Sequence, residues 1–149
     1  MNETDRLIQM RIRAMVYAAI AFGIWQLSWL ATDILEPQGG TRLKIAQITT
    51  TLGALAWVAA SFFYARFNSQ VKKASACGPL NDELTCHNRA QSFGLGYAIT
   101  MIGIMLLIAA ASIIEGYTIY GLKLIAITGV IVPILTFARL EHNNDLGAE

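Results

Sequence analysis

The charged residues of this chain avoid four long apolar stretches, and this segregation limits the possible folds more than any other feature. Every Lys, Arg, Asp and Glu lies outside residues 14–32, 45–65, 90–114 and 124–138. A helix needs about 20 residues to cross a hydrocarbon core of about 30 Å, and the fourth stretch reaches that length if Lys123 and Arg139 extend their charges to the lipid headgroups. The sequence therefore predicts an all-α membrane protein with spans at 14–32, 43–65, 90–114 and 122–140.

Composition excludes a soluble domain. Hydrophobic residues make up 55% of the chain, charged residues make up 14%, and the mean hydropathy is +0.50. Soluble helices keep a polar face, whereas residues 101–112 are apolar all round. We expect residues 1–149 to form a single four-transmembrane-helix bundle. The alternative for the first span, a cleaved signal peptide, is disfavoured because its apolar run is too long and acidic residues precede it.

The distribution of basic residues predicts the orientation. Eight lie on the side of the termini and three on the other: Arg6, Arg11, Arg13, Arg66, Lys72, Lys73, Arg89 and Arg139 against Arg42, Lys44 and Lys123. Basic residues favour the cytoplasmic side, so both termini and the loop 66–89 are expected there. The net charge of +1 gives no reason to expect nucleic acid as a partner.

The two halves of the chain resemble each other. An offset of 79 gives six identities in the sixteen positions 34–49. This similarity favours two parallel-repeat helical hairpins related by an axis along the membrane normal. The alternative is chance, since apolar sequences with basic flanks align easily.

Polar side chains within the four apolar stretches carry no charge. The main ones are Gln26, Gln47, Thr49 and Thr128. Carriers coupled to protons or ions usually keep a charged group in the bilayer, and none is present. We expect these residues to serve helix packing, with a hydrogen bond between Gln26 and Gln47. The alternative is a weakly polar path for a solute.

Small residues form a stripe on the third span, at Ser92, Gly96, Thr100 and Gly103. Such a stripe allows another helix to approach closely. Packing within the chain is the favoured interpretation, and dimerisation is the alternative.

A polar rim is predicted at the end of the bundle that carries the termini, where helix-tying ion pairs or a partner-contact surface could form. Its members are Arg66, Asp82, Glu83, Asn88, Arg89, Arg139 and Glu141, with His142 nearby. Exposed ion pairs there would each contribute only about 0 to 1 kcal/mol.

Cys77, Cys86 and His87 share the middle loop, but their spacing matches no zinc pattern. Adjacent residues on a helix point about 100° apart, so Cys86 and His87 do not form a nucleophile with its base. We expect no metal, no cofactor and no enzymatic activity.

Three short motifs carry a resemblance over the second half of the chain. They are the segment 82–85 with 88–90, a glycine-rich apolar span containing Tyr97, and the segment 137–141. In these the chain resembles small, uncharacterised bacterial inner-membrane proteins with four transmembrane helices. The resemblance implies a bacterial inner membrane and transfers no catalytic residue.

These observations lead us to expect a non-enzymatic accessory or assembly subunit that acts through protein–protein contacts. Its partners would be the lipid bilayer and other membrane proteins or a second copy of itself. The alternative function is a small oligomeric transporter or channel.

Overall fold

Four long helices make up the computed structural model, which describes residues 3–73, 83–111 and 116–146. In chain order they are α1 (Glu3–Leu35), α2 (Gly40–Lys73), α3 (Glu83–Ala111) and α4 (Thr118–Leu146). Each is long and apolar enough to cross a membrane once, as predicted. The chain is therefore a multi-pass all-α membrane protein. We call the end where α1 begins and α4 ends the terminal face, and the opposite end the hairpin face.

A tight turn joins α1 to α2 at the hairpin face. A short 3-10 helix, Glu36–Gln38, follows α1, and the Gly39 amide donates to the Leu35 carbonyl at 3.1 Å. Gly39 and Gly40 have φ angles of 63° and 82°, a region that residues with a side chain rarely adopt. Two consecutive glycines thus let α2 begin directly after α1.

The first two helices extend beyond their predicted spans at the terminal face. α1 begins at Glu3 and α2 continues to Lys73, which makes each about 50 Å long at about 1.5 Å per residue. Leu7 and Phe67 are buried against each other there, and Ile8, Met10 and Val71 pack around them. This apolar contact stabilises the extension, so residues 66–73 of the predicted loop are helical. Residues 83–89 of that loop form the first turns of α3.

The helices pack in the order α2, α1, α4, α3. α1 contacts both α2 and α4, and α3 packs against α4, whereas no extensive contact joins α2 to α3 in the described part of the chain. The buried share of each apolar segment reflects this order, at 28% in α1 and 22% in α4 but 11% in α2 and 6% in α3. The bundle is therefore an open row, with α2 and α3 at its edges.

Two hairpins are present, but their mutual packing is not two-fold symmetric. In a two-fold arrangement, the contact of α1 with α4 would have a counterpart between α3 and α2. α1 and α4 pack extensively, while α2 and α3 do not. The two halves that resemble each other in sequence thus form two hairpins, and in the described part of the chain these hairpins pack together mainly through α1 and α4.

The contact between α1 and α2 follows a seven-residue spacing. α2 buries Ala46, Gly53, Ala60 and Phe67, each seven positions after the last. α1 has the same spacing at its buried residues Leu7, Ala14 and Ala21. A seven-residue repeat is typical of helices that pack as in a left-handed coiled coil, and small residues bring the backbones close together.

Candidate functional site

Glu141 is the centre of a buried polar cluster at the terminal face. Its side chain is only 5% exposed and forms an ion pair with Arg11, whose side chain is 12% exposed. The other carboxylate oxygen accepts a hydrogen bond from Asn88 Nδ2 at 3.3 Å. The Arg11 guanidinium also lies 5.6 Å from the centre of the Phe137 ring. One carboxylate therefore joins α1, α3 and α4.

This cluster corrects the expectation that ion pairs of the rim would be exposed. Glu141 follows Phe137 by one turn and lies on the same buried side of α4. Sequence reasoning treated Arg11 only as a topology signal and did not include it in the rim. Its position in the sequence could have indicated this role, since α1 begins and α4 ends at the same face and Arg11 lies three residues before the first predicted span.

The other predicted rim residues that the structure describes are exposed, whereas Asn88 and Glu141 are buried. The exposed rim residues include Arg66, Glu83 and Arg139, and the nearby His142 is exposed as well. Asp82 lies outside the described residues. Arg89 is exposed, and its guanidinium approaches the Cys86 sulfur at 3.6 Å. Among the described rim residues, Asn88 and Glu141 are thus brought into contact in the buried cluster.

A second ion pair joins α1 to α4 at the hairpin face. Lys123 pairs with Asp33, and its ammonium lies 5.1 Å from the centre of the Trp29 ring. Lys123, whose charge was expected to extend to the headgroups, contacts Asp33 and Trp29 of α1 with its long side chain. The side chains remain 38% and 28% exposed, so water or headgroups can also solvate this pair.

The two ion pairs are separated by about the thickness of a bilayer core. Arg11 and Asp33 are 22 positions apart on α1, and Lys123 and Glu141 are 18 positions apart on α4. At about 1.5 Å per residue these separations are about 33 and 27 Å, against about 30 Å for the hydrocarbon. The contact between the two hairpins is therefore closed by opposite charges at both of its ends.

The predicted hydrogen bond between Gln26 and Gln47 does not form. Gln26 lies between α1 and α4, in a small cavity that Trp29 and Lys123 also line, and Gln47 is exposed on α2. The two side chains point in different directions because α1 turns that face toward α4. A contact of 3.4 Å between the hydroxyls of Thr32 and Thr50 joins the first hairpin instead.

Hydroxyl groups within the spans donate to their own helices. Thr49 donates to the Ile45 carbonyl at 2.9 Å, and Thr128 donates to the Leu124 carbonyl at 3.0 Å. Thr50, Thr51 and Ser61 bond in the same way. Their donors are satisfied locally, an arrangement that suits helices in lipid.

The stripe of small residues on α3 faces α4. Ser92 is fully buried and Gly96 is buried beside the Pro133 ring, where an added Cβ would lie 2.8 Å from Pro133 Cγ. A Cβ at Gly103 would lie 3.0 Å from Ile125. Thr100 bonds to the Gly96 carbonyl at 2.8 Å. The stripe is thus occupied by contacts within the chain.

A cleft opens between α2 and α3 at the terminal face. Its volume is about 280 Å³, and all four helices contribute to its lining: Arg11, Met15, Tyr64, Thr85, Arg89, Phe93, Pro133, Ile134 and Phe137. The sequence did not predict this cleft, because the cleft depends on the order in which the helices pack, and that order keeps α2 and α3 apart. Cys86 and His87 are exposed beside it, Cys77 lies outside the described residues, and the described part of the chain holds no group of three potential metal ligands.

Comparison with known proteins gives no match among family models, curated proteins or solved structures.

Proposed function

We propose that this protein is a non-enzymatic accessory or assembly subunit that binds another membrane protein through the faces of its outer helices. The observation that carries the proposal is the open row of helices. Within the described residues, α2 and α3 each pack extensively on one neighbour, which leaves most of their apolar surface outside the fold.

The internal chemistry of the bundle supports a structural role. Within the described residues, the Glu141 carboxylate is engaged by Arg11 and Asn88, and the Asp33 carboxylate is engaged by Lys123. The hydroxyls of Thr49, Thr51 and Thr128 donate to their own helices. These groups hold the helices in place, so function is assigned to the surface.

The outer face of α3 is the more suitable docking surface. Tyr97 and Met105 are 68% and 70% exposed, and a Cβ at Gly94 would meet nothing within 4 Å. Tyrosine and methionine provide large contact areas in protein interfaces, and a glycine allows a second helix to approach. The outer face of α3 thus carries an exposed tyrosine, an exposed methionine and an accessible glycine together.

We place the protein in a bacterial inner membrane with both termini cytoplasmic. Eight of the eleven basic residues lie on the side of the termini, which supports that orientation.

Purification of the tagged protein from its native membrane in mild detergent, followed by mass spectrometry, tests the proposal. We expect a second membrane protein at a fixed ratio to this chain. Gly94→Trp adds bulk to the open face of α3 without a clash inside the fold, and it should remove that partner. Ile20→Trp, at an exposed position of α1 and so outside the two outer helices, is the matched control and should retain it.

Recovery of the chain alone, as a homo-oligomer, would contradict the accessory role. It would favour the alternative function, a small transporter or channel. Solute flux into liposomes that is lost on Gln47→Leu would then support transport.

A further inference from the structure

One side of α2 carries basic residues at both ends and apolar residues between them. Lys44 and Arg66 are both exposed. Ile48, Leu55 and Phe62 lie between them and are 60%, 62% and 73% exposed. At about 100° per residue, the spacing of these positions keeps all of them within about 40° of one another around the helix. They therefore form one line along α2, which we call the outer stripe.

The outer stripe points away from α1. Leu55 and Phe62 each follow a buried residue of the contact with α1, Ala46 and Gly53, by nine positions. Nine positions rotate a helix by about 900°, which is two full turns and a half. The stripe thus lies on the side of α2 opposite to its packed side, at the edge of the row.

The two charges of the outer stripe match the thickness of a bilayer core. Lys44 and Arg66 are 22 positions apart, which is about 33 Å along a helix, against about 30 Å for the hydrocarbon. One charge therefore lies at each boundary of the hydrocarbon, and the three apolar side chains lie inside it.

The charges of α2 are all positive. Gly40–Lys73 contains five basic residues and no acidic residue. The ion pairs found among the described residues join α1 to α4, so neither Lys44 nor Arg66 is paired with a carboxylate of the described part of the chain. A binding partner for the outer stripe therefore has to supply negative charge at both boundaries.

A transmembrane helix with an acidic residue at each boundary meets this requirement better than the other candidates. A lipid lies in one leaflet and pairs with only one of the two cations. The α2 helix of a second copy would bring like charges together, which is unfavourable. Glu83 is the acidic residue of α3, so the α3 helix of a second copy would meet Arg66 at the terminal face but not Lys44.

We propose that the outer stripe of α2 binds a transmembrane helix of another protein that carries acidic residues at both membrane boundaries, about 22 positions apart. The apolar residues of the stripe pack against the middle of that helix, since van der Waals contact drives helix association in lipid. The inference rests on the proposed accessory role. It specifies the charge of a partner helix at the α2 edge, which is the opposite edge of the row from the α3 face.

Energy transfer in phosphatidylcholine liposomes tests the site with a synthetic peptide. The full chain, with Cys77→Ser, carries a donor dye on Cys86, and the acceptor-labelled peptide is a helix of Leu and Ala with one Glu at each boundary. This peptide should bind about 25-fold more tightly than the same peptide with Lys in place of Glu, because each of two separate ion pairs contributes about fivefold. A peptide with Glu at one boundary only should lose about fivefold.

Variants of the chain locate the binding surface. Arg66→Gln should weaken binding of the peptide with two Glu residues about fivefold. Arg139→Gln, an exposed arginine of α4 at the same face, is the matched control and should bind as the wild type does. Lys44→Glu combined with Arg66→Glu should invert the preference, so that the Lys peptide binds more tightly.

Several results would overturn the inference. Equal binding of the Glu and Lys peptides would show that charge is not recognised, and equal binding of the peptides with one and two Glu residues would show that one boundary suffices. An equal loss in Arg66→Gln and Arg139→Gln would indicate general attraction to a basic face. Loss of the preference in phosphatidylglycerol liposomes would assign the stripe to anionic lipid. None of these results bears on the accessory role, which the purification with Gly94→Trp decides separately.

Discussion

Glu141 shows how one side chain can connect three helices of a membrane protein. Removing a carboxylate from water costs several kcal/mol, and the cost is offset only where a cation and further donors surround it. Arg11 supplies the cation and Asn88 supplies a donor. Glu141 stays buried at the terminal face because both partners reach it from other helices.

Glu141→Ala should destabilise the protein by about 3 kcal/mol, because it leaves the Arg11 guanidinium buried without its counter-ion. Unfolding in mixed detergent micelles, followed by circular dichroism, would measure the change.

Glu83→Ala is the control, since Glu83 is exposed and its loss should change the free energy of unfolding by less than about 0.5 kcal/mol. The double variant Arg11→Met with Glu141→Leu should recover most of the loss, because no charge then remains buried. Equal effects of Glu141→Ala and Glu83→Ala would show that the ion pair contributes nothing.

At the scale of helices, the contact between α1 and α2 depends on how closely two backbones approach. Gly53 lies in the middle of the buried series on α2, where an added Cβ would lie 2.8 Å from the Trp25 Cα atom and 2.9 Å from its backbone nitrogen. A backbone atom cannot move aside as a flexible side chain can, so α2 would have to shift as a whole. The Trp25 and Trp57 rings, whose centres are 5.3 Å apart, pack beside this approach.

Gly53→Ala should therefore destabilise the chain by about 2 kcal/mol, the usual cost of overpacking a contact. Gly94→Ala should instead be neutral or stabilising by up to about 1 kcal/mol, because a Cβ there meets nothing and alanine favours the helix. The same unfolding measurement would compare them. Similar effects of the two substitutions would mean that helix propensity, rather than close approach, decides the outcome.

At the scale of the whole molecule, the contact between α1 and α4 joins the two hairpins, and α2 and α3 form the two edges of the row. Opposite charges at both ends of the contact between α1 and α4 fix how far one hairpin can slide along the other. No ion pair of this kind joins α2 to α3 within the described residues. The edges are thus the part of the molecule available to lipid or to another protein.

The proposed orientation can be tested with the exposed thiol of Cys86. In a Cys77→Ser background, Cys86 should resist a membrane-impermeant maleimide in intact cells and react after lysis, because positive-inside asymmetry places it in the cytoplasm. Gln38→Cys, in a chain without both native cysteines, should react in intact cells, since it is exposed at the hairpin face. The reverse labelling pattern would show that the termini lie on the opposite side of the membrane from the one proposed.

The sequence by itself determined the number of helices and the positions of their apolar segments. Water cannot satisfy backbone groups within a bilayer, so uncharged apolar segments of about 20 residues must be helical, and their positions can be read directly. It also located the stripe from Ser92 to Gly103, because the four-residue spacing of small residues places them on one face of a helix.

Only the tertiary structure decided which helix faces meet. Apolar segments in lipid have nearly uniform surfaces, so periodicity could not place Gln26 toward α4 rather than α2, or indicate that α2 and α3 stay apart. The partnership of Arg11 with Glu141 joins residues 130 positions apart and depends on the packing of α1 against α4. The order of helices, and hence the cleft, follows from contacts of that kind, whose partners lie far apart in the sequence.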